Sequence, residues 1–146
     1  LPATIHASAI LISPRAVLIR GPSGAGKSRL AVALIEAART GLLRFARLVG
    51  DDRVHVKASH GRLLVRPAEA LTGLIEIRGL GIRRLPFEPL AAVGLVVDLG
   101  AEDAERLPVP STAVIAGVTL PRLAVAAGMD PAPMLLAALN SADSAC

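Results

Sequence analysis

The chain has 146 residues, a length that suits one domain, and 53% of them are hydrophobic, enough for a core. Trp and Tyr are absent and Phe45 and Phe87 are the only aromatic residues, so that core must come from Leu, Val, Ile and Ala. The net charge of +4 is carried almost wholly by scattered arginines with no stacking residues between them, which favours a solvated basic surface over a nucleic-acid-binding face. No signal peptide is expected at the start of the chain. The longest uncharged stretch, residues 107–121, is too short for a membrane span and is broken by prolines, so no membrane role is expected. Cys146 is the only cysteine, so no disulfide can form within the chain, which suits a reducing, cytoplasmic compartment. The chain begins at Leu1 rather than Met, leaving room for an upstream segment.

Residues 4–12 read as a strand, Ser13-Pro14-Arg15 as a turn, and Ala16-Val17-Leu18-Ile19 as a buried strand. A glycine-rich loop follows, then an apolar helix over 30–38 that stops near Thr40-Gly41. Residues 44–49 form the next strand and run into Gly50-Asp51-Asp52. The period then becomes two: Val54 and Val56, then Leu63 and Val65, predict a hairpin turning at His60-Gly61 and stopped by Pro67. A helical turn is expected at 68–71, a strand over 73–82, and a proline-bounded loop over 83–89. A buried strand spans 93–99, a surface excursion 100–111, and two further strands lie at 113–115 and 123–125, separated by Pro121. Asp130-Pro131 supplies an N-cap and a first-turn proline for a last helix through Leu139. One helix early, one late and many strands between predict a single mixed α/β domain over 1–146 rather than a doubly wound sheet.

The loop is Gly21-Pro22-Ser23-Gly24-Ala25-Gly26-Lys27-Ser28, the pattern G-x-x-x-x-G-K-S between a strand and a helix. Glycines let successive backbone N–H groups turn toward one point at a helix N-terminus, where an anion is favoured. Lys27 would then reach the β- and γ-phosphates of ATP, and the Ser28 hydroxyl would ligate Mg²⁺. Phosphoryl transfer also needs a group to take the acceptor's proton. Asp51-Asp52 ends a strand: one carboxylate could orient Mg²⁺ while the other accepts the proton, or the pair could simply cap a turn. Asp98 ends an apolar run, a form shared by any buried strand that closes on an acid. Glu76 interrupts an apolar strand and shares a strand face with Arg78, which leaves a salt bridge or a metal ligand open. His6, like His55 and His60, reads by base rate as structural or exposed.

Taken together, Gly21–Ser28, Arg47-Leu48-Val49-Gly50-Asp51-Asp52 and Leu74-Ile75-Glu76-Ile77-Arg78-Gly79-Leu80-Gly81-Ile82 resemble the catalytic domain of HPr kinase/phosphorylase. The stretch E-I-R-G-L-G-I is the most specific part of that resemblance, and the likeness is to a short form without the family's separate N-terminal domain. It implies a phosphate-loop fold similar to the nucleotide core of phosphoenolpyruvate carboxykinase. It also implies an ATP- and Mg²⁺-dependent kinase that phosphorylates a serine of HPr, the phosphocarrier of the bacterial sugar phosphotransferase system, and a hexamer. Residue by residue, it implies catalytic roles for His6, Lys27, Asp51, Asp52 and Arg106, with one Asp of the pair as proton acceptor. Gly21 to Ser28 bind the nucleotide, Ser28 and Glu76 hold Mg²⁺, and Asp98 has no role. Two positions depart from the family pattern: Pro22 replaces the usual Asp, and Arg29 the usual Glu. The stretch Ala124–Asp130 also lacks the bases associated with the reverse reaction, so phosphorylase activity is expected to be weak or absent. A small-molecule kinase and a nucleotide-sensing regulator are the alternatives.

Overall fold

The computed structural model describes residues 3–141; Cys146 lies outside them. The strands are β1 (Thr4–Ile5), β2 (Ala7–Leu11), β3 (Ala16–Arg20), β4 (Arg47–Gly50), β5 (Val54–Ser59), β6 (Arg62–Pro67), β7 (Leu74–Ile77), β8 (Gly81–Arg84), β9 (Ala91–Leu99), β10 (Ser111–Ile115) and β11 (Val118–Val125). The helices are α1 (Lys27–Arg39) and α2 (Pro131–Leu139), with a single 3-10 turn at Glu69–Leu71. The mixed α/β class expected from the sequence is the one observed.

The long strand β9 joins the sheet together. Its first two residues pair antiparallel with β6, its middle pairs parallel with β3, and its last four pair parallel with β11. From β3 the sheet continues through antiparallel β2 to β4, and from β6 through β5 to β1. Strand β3 is covered on both faces, so Ala16 to Ile19 are all buried and read as an unbroken apolar run rather than an alternation. Alternate residues feed two cores. Val17 and Ile19 meet Leu30, Ala31, Leu34 and Leu135 of the two helices. Ala16 and Leu18 meet Val54, Leu63 and Val65 of the β5–β6 hairpin. Leu34 is fully buried, and burying such a side chain is worth about 1.5–3 kcal/mol.

Turn chemistry explains the hairpins. His60 and Gly61 both have positive φ, 52° and 78°, the left-handed pair that a two-residue turn demands between twisted strands. Ala116-Gly117 does the same between β10 and β11. Helix α2 starts as its sequence predicts: Asp130 Oδ1 accepts a hydrogen bond from the Ala132 backbone N–H at 3.2 Å.

Four expectations need correction. The stretch 73–82 is not one strand but a hairpin, β7–β8, that forms its own two-stranded sheet; Gly79, with φ 85°, sits in the turn at 78–80. The predicted loop over 83–89 therefore begins two residues inside β8. The strand over 4–12 breaks at His6, sending β1 to β5 and β2 to β3 and β4. Pro121 does not separate two strands. It lies within β11, before the stretch from Arg122 that pairs with β9, so no hydrogen bond to β9 is forfeited there.

Asp98 proves to be structural. It accepts from Arg20 Nε at 2.8 Å and Arg20 Nη2 at 2.9 Å, and also from Arg122, tying the ends of β3, β9 and β11. Arg122 in turn forks onto Asp103 in the excursion after β9. Burial raises the Asp98 pKa, but hydrogen bonds from Arg20 and then Arg122, with their charges, outweigh it and hold the carboxyl below its ordinary range. A depressed folded pKa gives stability that is complete above the ordinary value of 3.8 and lost as pH falls through the lowered one. Asp98→Asn is therefore expected to cost about 1–3 kcal/mol at neutral pH, discounted for partial exposure of the network. In urea unfolding, the gap to wild type should shrink below pH 4; a gap independent of pH would show that the charge on Asp98 is not what stabilises the sheet.

Candidate active site

The strand directions fix where chemistry can happen. Strands β3, β4 and β9 all run toward the same end of the sheet, and β2 starts there, because it is antiparallel to both β3 and β4. The carboxyl ends of β3, β4 and β9 and the first residues of β2 therefore meet at one edge, the usual position of ligands on parallel strands. The glycine loop leaves β3 at that edge. A Cβ on Gly21 would lie 3.0 Å from both the Cβ and the carbonyl oxygen of Leu99, so only glycine lets the loop pass the end of β9. Gly26, with φ 99°, hands the loop to α1. It provides no side-chain cap, so the first N–H groups of the helix face the loop interior. Lys27 is 6% exposed and lies across the loop, donating to the carbonyl oxygens of Gly21 at 2.8 Å and Pro22 at 3.1 Å.

Asp51 follows β4 and is 4% exposed. Its Oδ1 accepts from Ser28 Oγ at 2.7 Å and from Ser8 Oγ at 2.6 Å. Its Oδ2 accepts from Ser28 Oγ at 2.9 Å and, more weakly, from the Glu76 backbone N–H at 3.4 Å. A buried carboxylate needs such partners, and here they come from three elements: β2, α1 and β7. The local backbone explains the aim. Between β2 and β4 the register shifts at Ala9/Ile10, leaving Val49 as an extra residue, a bulge that redirects the chain as it leaves β4. At Gly50 a Cβ would stand 2.7 Å from Val54 Cγ1, so β4 reaches this position only without a side chain.

Asp52 is the opposite case. Its φ is +68°, a left-handed conformation that Asp tolerates better than most residues. Its side chain is 60% exposed and lies 2.9 Å from His6 Nε2, while its backbone N–H donates to Ser8 Oγ at 3.3 Å. One turn of backbone thus places two neighbouring aspartates in a closed and an open environment. His6, Lys27, Ser28, Asp52 and Glu76 line a common open cavity of about 420 Å³, with Asp51 beneath it. A second cavity of about 760 Å³ lies beyond the glycine loop, walled by Leu99, Leu30, Ala33, Val125 and the 126–132 segment.

Of the residues singled out in the sequence, the structure brings together His6, Gly21 to Ser28, Asp51, Asp52 and Glu76. It does not bring Arg106 there: that residue is exposed on the excursion between β9 and β10, which Asp103 anchors to Arg122, and it lines neither cavity. Among the described residues Glu76 and Arg78 form no salt bridge; Arg78 is in the β7–β8 turn, and both line the smaller cavity. Sequence reasoning missed Ser8, the buried hydroxyl that serves both aspartates. Its only signal was a polar residue inside an apolar strand, two places after His6.

Ser28 Oγ, Asp51 and Glu76 offer oxygen donors, the kind a hard cation such as Mg²⁺ takes. Among the described residues no group of three or more His, Cys, Asp or Glu is arranged to hold a metal alone, so phosphate oxygens and water would complete its shell. No helix among them is long and apolar enough to cross a membrane. Arg29, the third residue of α1, is a cation where the helix favours anions, a placement that costs about 0.3–1 kcal/mol. No acid in that first turn compensates it.

Comparison with known proteins points the same way. The family model described as the HPr serine kinase C-terminal domain matches residues 2–86. The HPr kinase/phosphorylase of Azoarcus sp. (strain BH72) is 41% identical over 141 residues, covering 86% of this chain and 43% of that protein. That of Streptococcus thermophilus (strain ATCC BAA-491 / LMD-9) is 45% identical over 80 residues, 54% of this chain and 24% of the relative. This chain thus spans less than half the length of these curated relatives. A solved structure, the HPr(Ser) kinase/phosphatase of Coxiella burnetii, superposes with a TM-score of 0.74 at 28% identity, covering 92% of this chain and 91% of that one. The matched residues include the glycine loop, the aspartate pair and Glu76, and the chain belongs to the HPr serine kinase C-terminal domain family.

Proposed function

We propose that this chain is an ATP-dependent protein serine kinase domain whose substrate is an HPr-like phosphocarrier protein in the cytoplasm. The observation that carries this reading is the convergence of Lys27, Ser28, Asp52, His6 and Glu76 on one open cavity above a buried Asp51. A pure nucleotide sensor has no use for an exposed carboxylate beside the phosphate loop. A protein substrate fits a cavity open enough to admit a seryl side chain.

In this reading ATP lies over residues 21–28, with its nucleoside in the 760 Å³ cavity and its γ-phosphate toward Asp52. The loop N–H groups and Lys27 hold the β- and γ-phosphates, and Lys27 leaves its carbonyl partners to do so. Ser28 and Glu76 would hold Mg²⁺, which would offset charge on the phosphate oxygens. Asp51 orients the Ser28 hydroxyl. Asp52 accepts the proton of the incoming serine as its oxygen bonds to the γ-phosphorus and the bond to the β–γ bridging oxygen breaks, releasing ADP. His6 fixes the Asp52 carboxylate from its 2.9 Å contact. Arg106 would need the excursion at 101–110 to move in order to take part, and Arg78, already on the cavity wall, is the better placed cation. The reverse reaction brings inorganic phosphate as an additional anion, and the segment from Ala124 to Asp130 carries no base to hold it. We therefore assign the kinase direction as the dominant one. The family's hexamer belongs to the same proposal.

Incubation of the protein with Mg-ATP and HPr from the same source should add one phosphoryl group to HPr by intact mass. Lys27→Ala should lower that rate by on the order of 10²–10³-fold. Nucleotide binding with no modified HPr would overturn the protein-kinase reading, and ATP consumption that needs no HPr would favour a small-molecule acceptor. Rapid release of pyrophosphate from phosphorylated HPr and inorganic phosphate would overturn the assigned direction.

A further inference from the structure

We propose that Arg29 is a phosphate-contacting residue that clamps the polyphosphate of a nucleoside triphosphate where it crosses from the larger cavity to the smaller. The inference rests on the nucleotide-binding reading of the glycine loop and assigns a residue that this reading does not use.

Arg29 lines both cavities. The other residues common to the two are Ser23, Gly24 and Gly26, so Arg29 is the charged group at their junction. Its guanidinium lies back over the loop: a Cβ on Gly26 would stand 3.9 Å from both Arg29 Nε and Nη2. Among the described residues Arg29 is exposed and makes no salt bridge and no side-chain hydrogen bond, as is true of several other arginines; what distinguishes it is its place at the junction of the two cavities.

Its position is unfavourable without a ligand. Arg29 sits in the first turn of α1, beside the positive end of the helix and two residues from Lys27, with no acid in that turn. An anion lying across the loop reverses the sign of that arrangement, since both cations and the helix end then face negative charge. With the γ-phosphate at Asp52 and the nucleoside in the larger cavity, the junction falls at the α- and β-phosphates. The ligand class is thus an α,β-linked polyphosphate, and the contact is indifferent to the base.

Isothermal titration in Mg²⁺ buffer with ATP, GTP and inorganic tripolyphosphate, on wild type and Arg29→Ala, tests this, together with the melting temperature of each protein without ligand. The expected result is a loss of about tenfold in affinity for all three ligands, with a ligand-free melting temperature equal to or above that of wild type. Arg29→Glu should lose more affinity than Arg29→Ala while melting no lower. Affinities within twofold of wild type, a loss confined to ATP and GTP, or a lowered ligand-free melting temperature would overturn the role of Arg29. Wild-type protein that binds none of the three would overturn the nucleotide-binding reading as well.

Discussion

A single buried carboxylate holds the site together. Asp51 receives the hydroxyls of Ser8 and Ser28 and the backbone N–H of Glu76, so strand β2, helix α1 and the β7–β8 hairpin are all fastened to the end of β4. Charge-assisted hydrogen bonds of this kind are stronger than neutral ones, and a carboxylate left without them at 4% exposure would be costly. The hairpin that carries Glu76 also packs on the helix side of the core through Ile75 and Ile77, so that carboxylate and these apolar contacts together set its place beside the glycine loop.

The same few residues separate the two aspartates. A bulge at Val49, a glycine that β5 crowds, and a left-handed Asp52 turn one carboxylate inward and its neighbour outward. Adjacent acids with identical intrinsic chemistry thereby acquire different partners: serine hydroxyls for one, an imidazole and open cavity for the other. That division suits a phosphoryl transfer, in which one acid serves the metal side and the other faces the acceptor. Ser8 connects the two, donating to Asp51 and accepting from the Asp52 backbone.

What the sequence revealed was what local chemistry determines. The glycine loop, the Asp130-Pro131 start of α2 and the His60-Gly61 turn each encode their conformation within a few residues, and all three form as expected. Asp51, Asp52 and Glu76 stood out because acids at the end or middle of apolar runs are costly unless used. Pairing across long separations was less legible. Ser8 meets Asp51 43 positions away, through a strand register that no local pattern specifies. The glycines of 79–81 read as the end of a strand, although Gly79 makes a turn and the chain returns as β8. Arg106 was carried by the resemblance alone, in a segment whose path over the surface is set by the Asp103–Arg122 pair rather than by its own residues.

In the proposed kinase reading Asp51 serves the nucleotide and its metal while Asp52 serves the acceptor. That division is tested most directly by measuring, for Asp51→Asn and Asp52→Asn, Mg-ATP affinity and the single-turnover rate of phosphoryl transfer to HPr at saturating ATP. Asp52→Asn should keep nucleotide affinity within about threefold but lose on the order of 10²–10⁴ in transfer rate. Asp51→Asn should weaken Mg-ATP binding by about tenfold or more. Transfer at the wild-type rate by Asp52→Asn, or nucleotide binding untouched in Asp51→Asn, would contradict it.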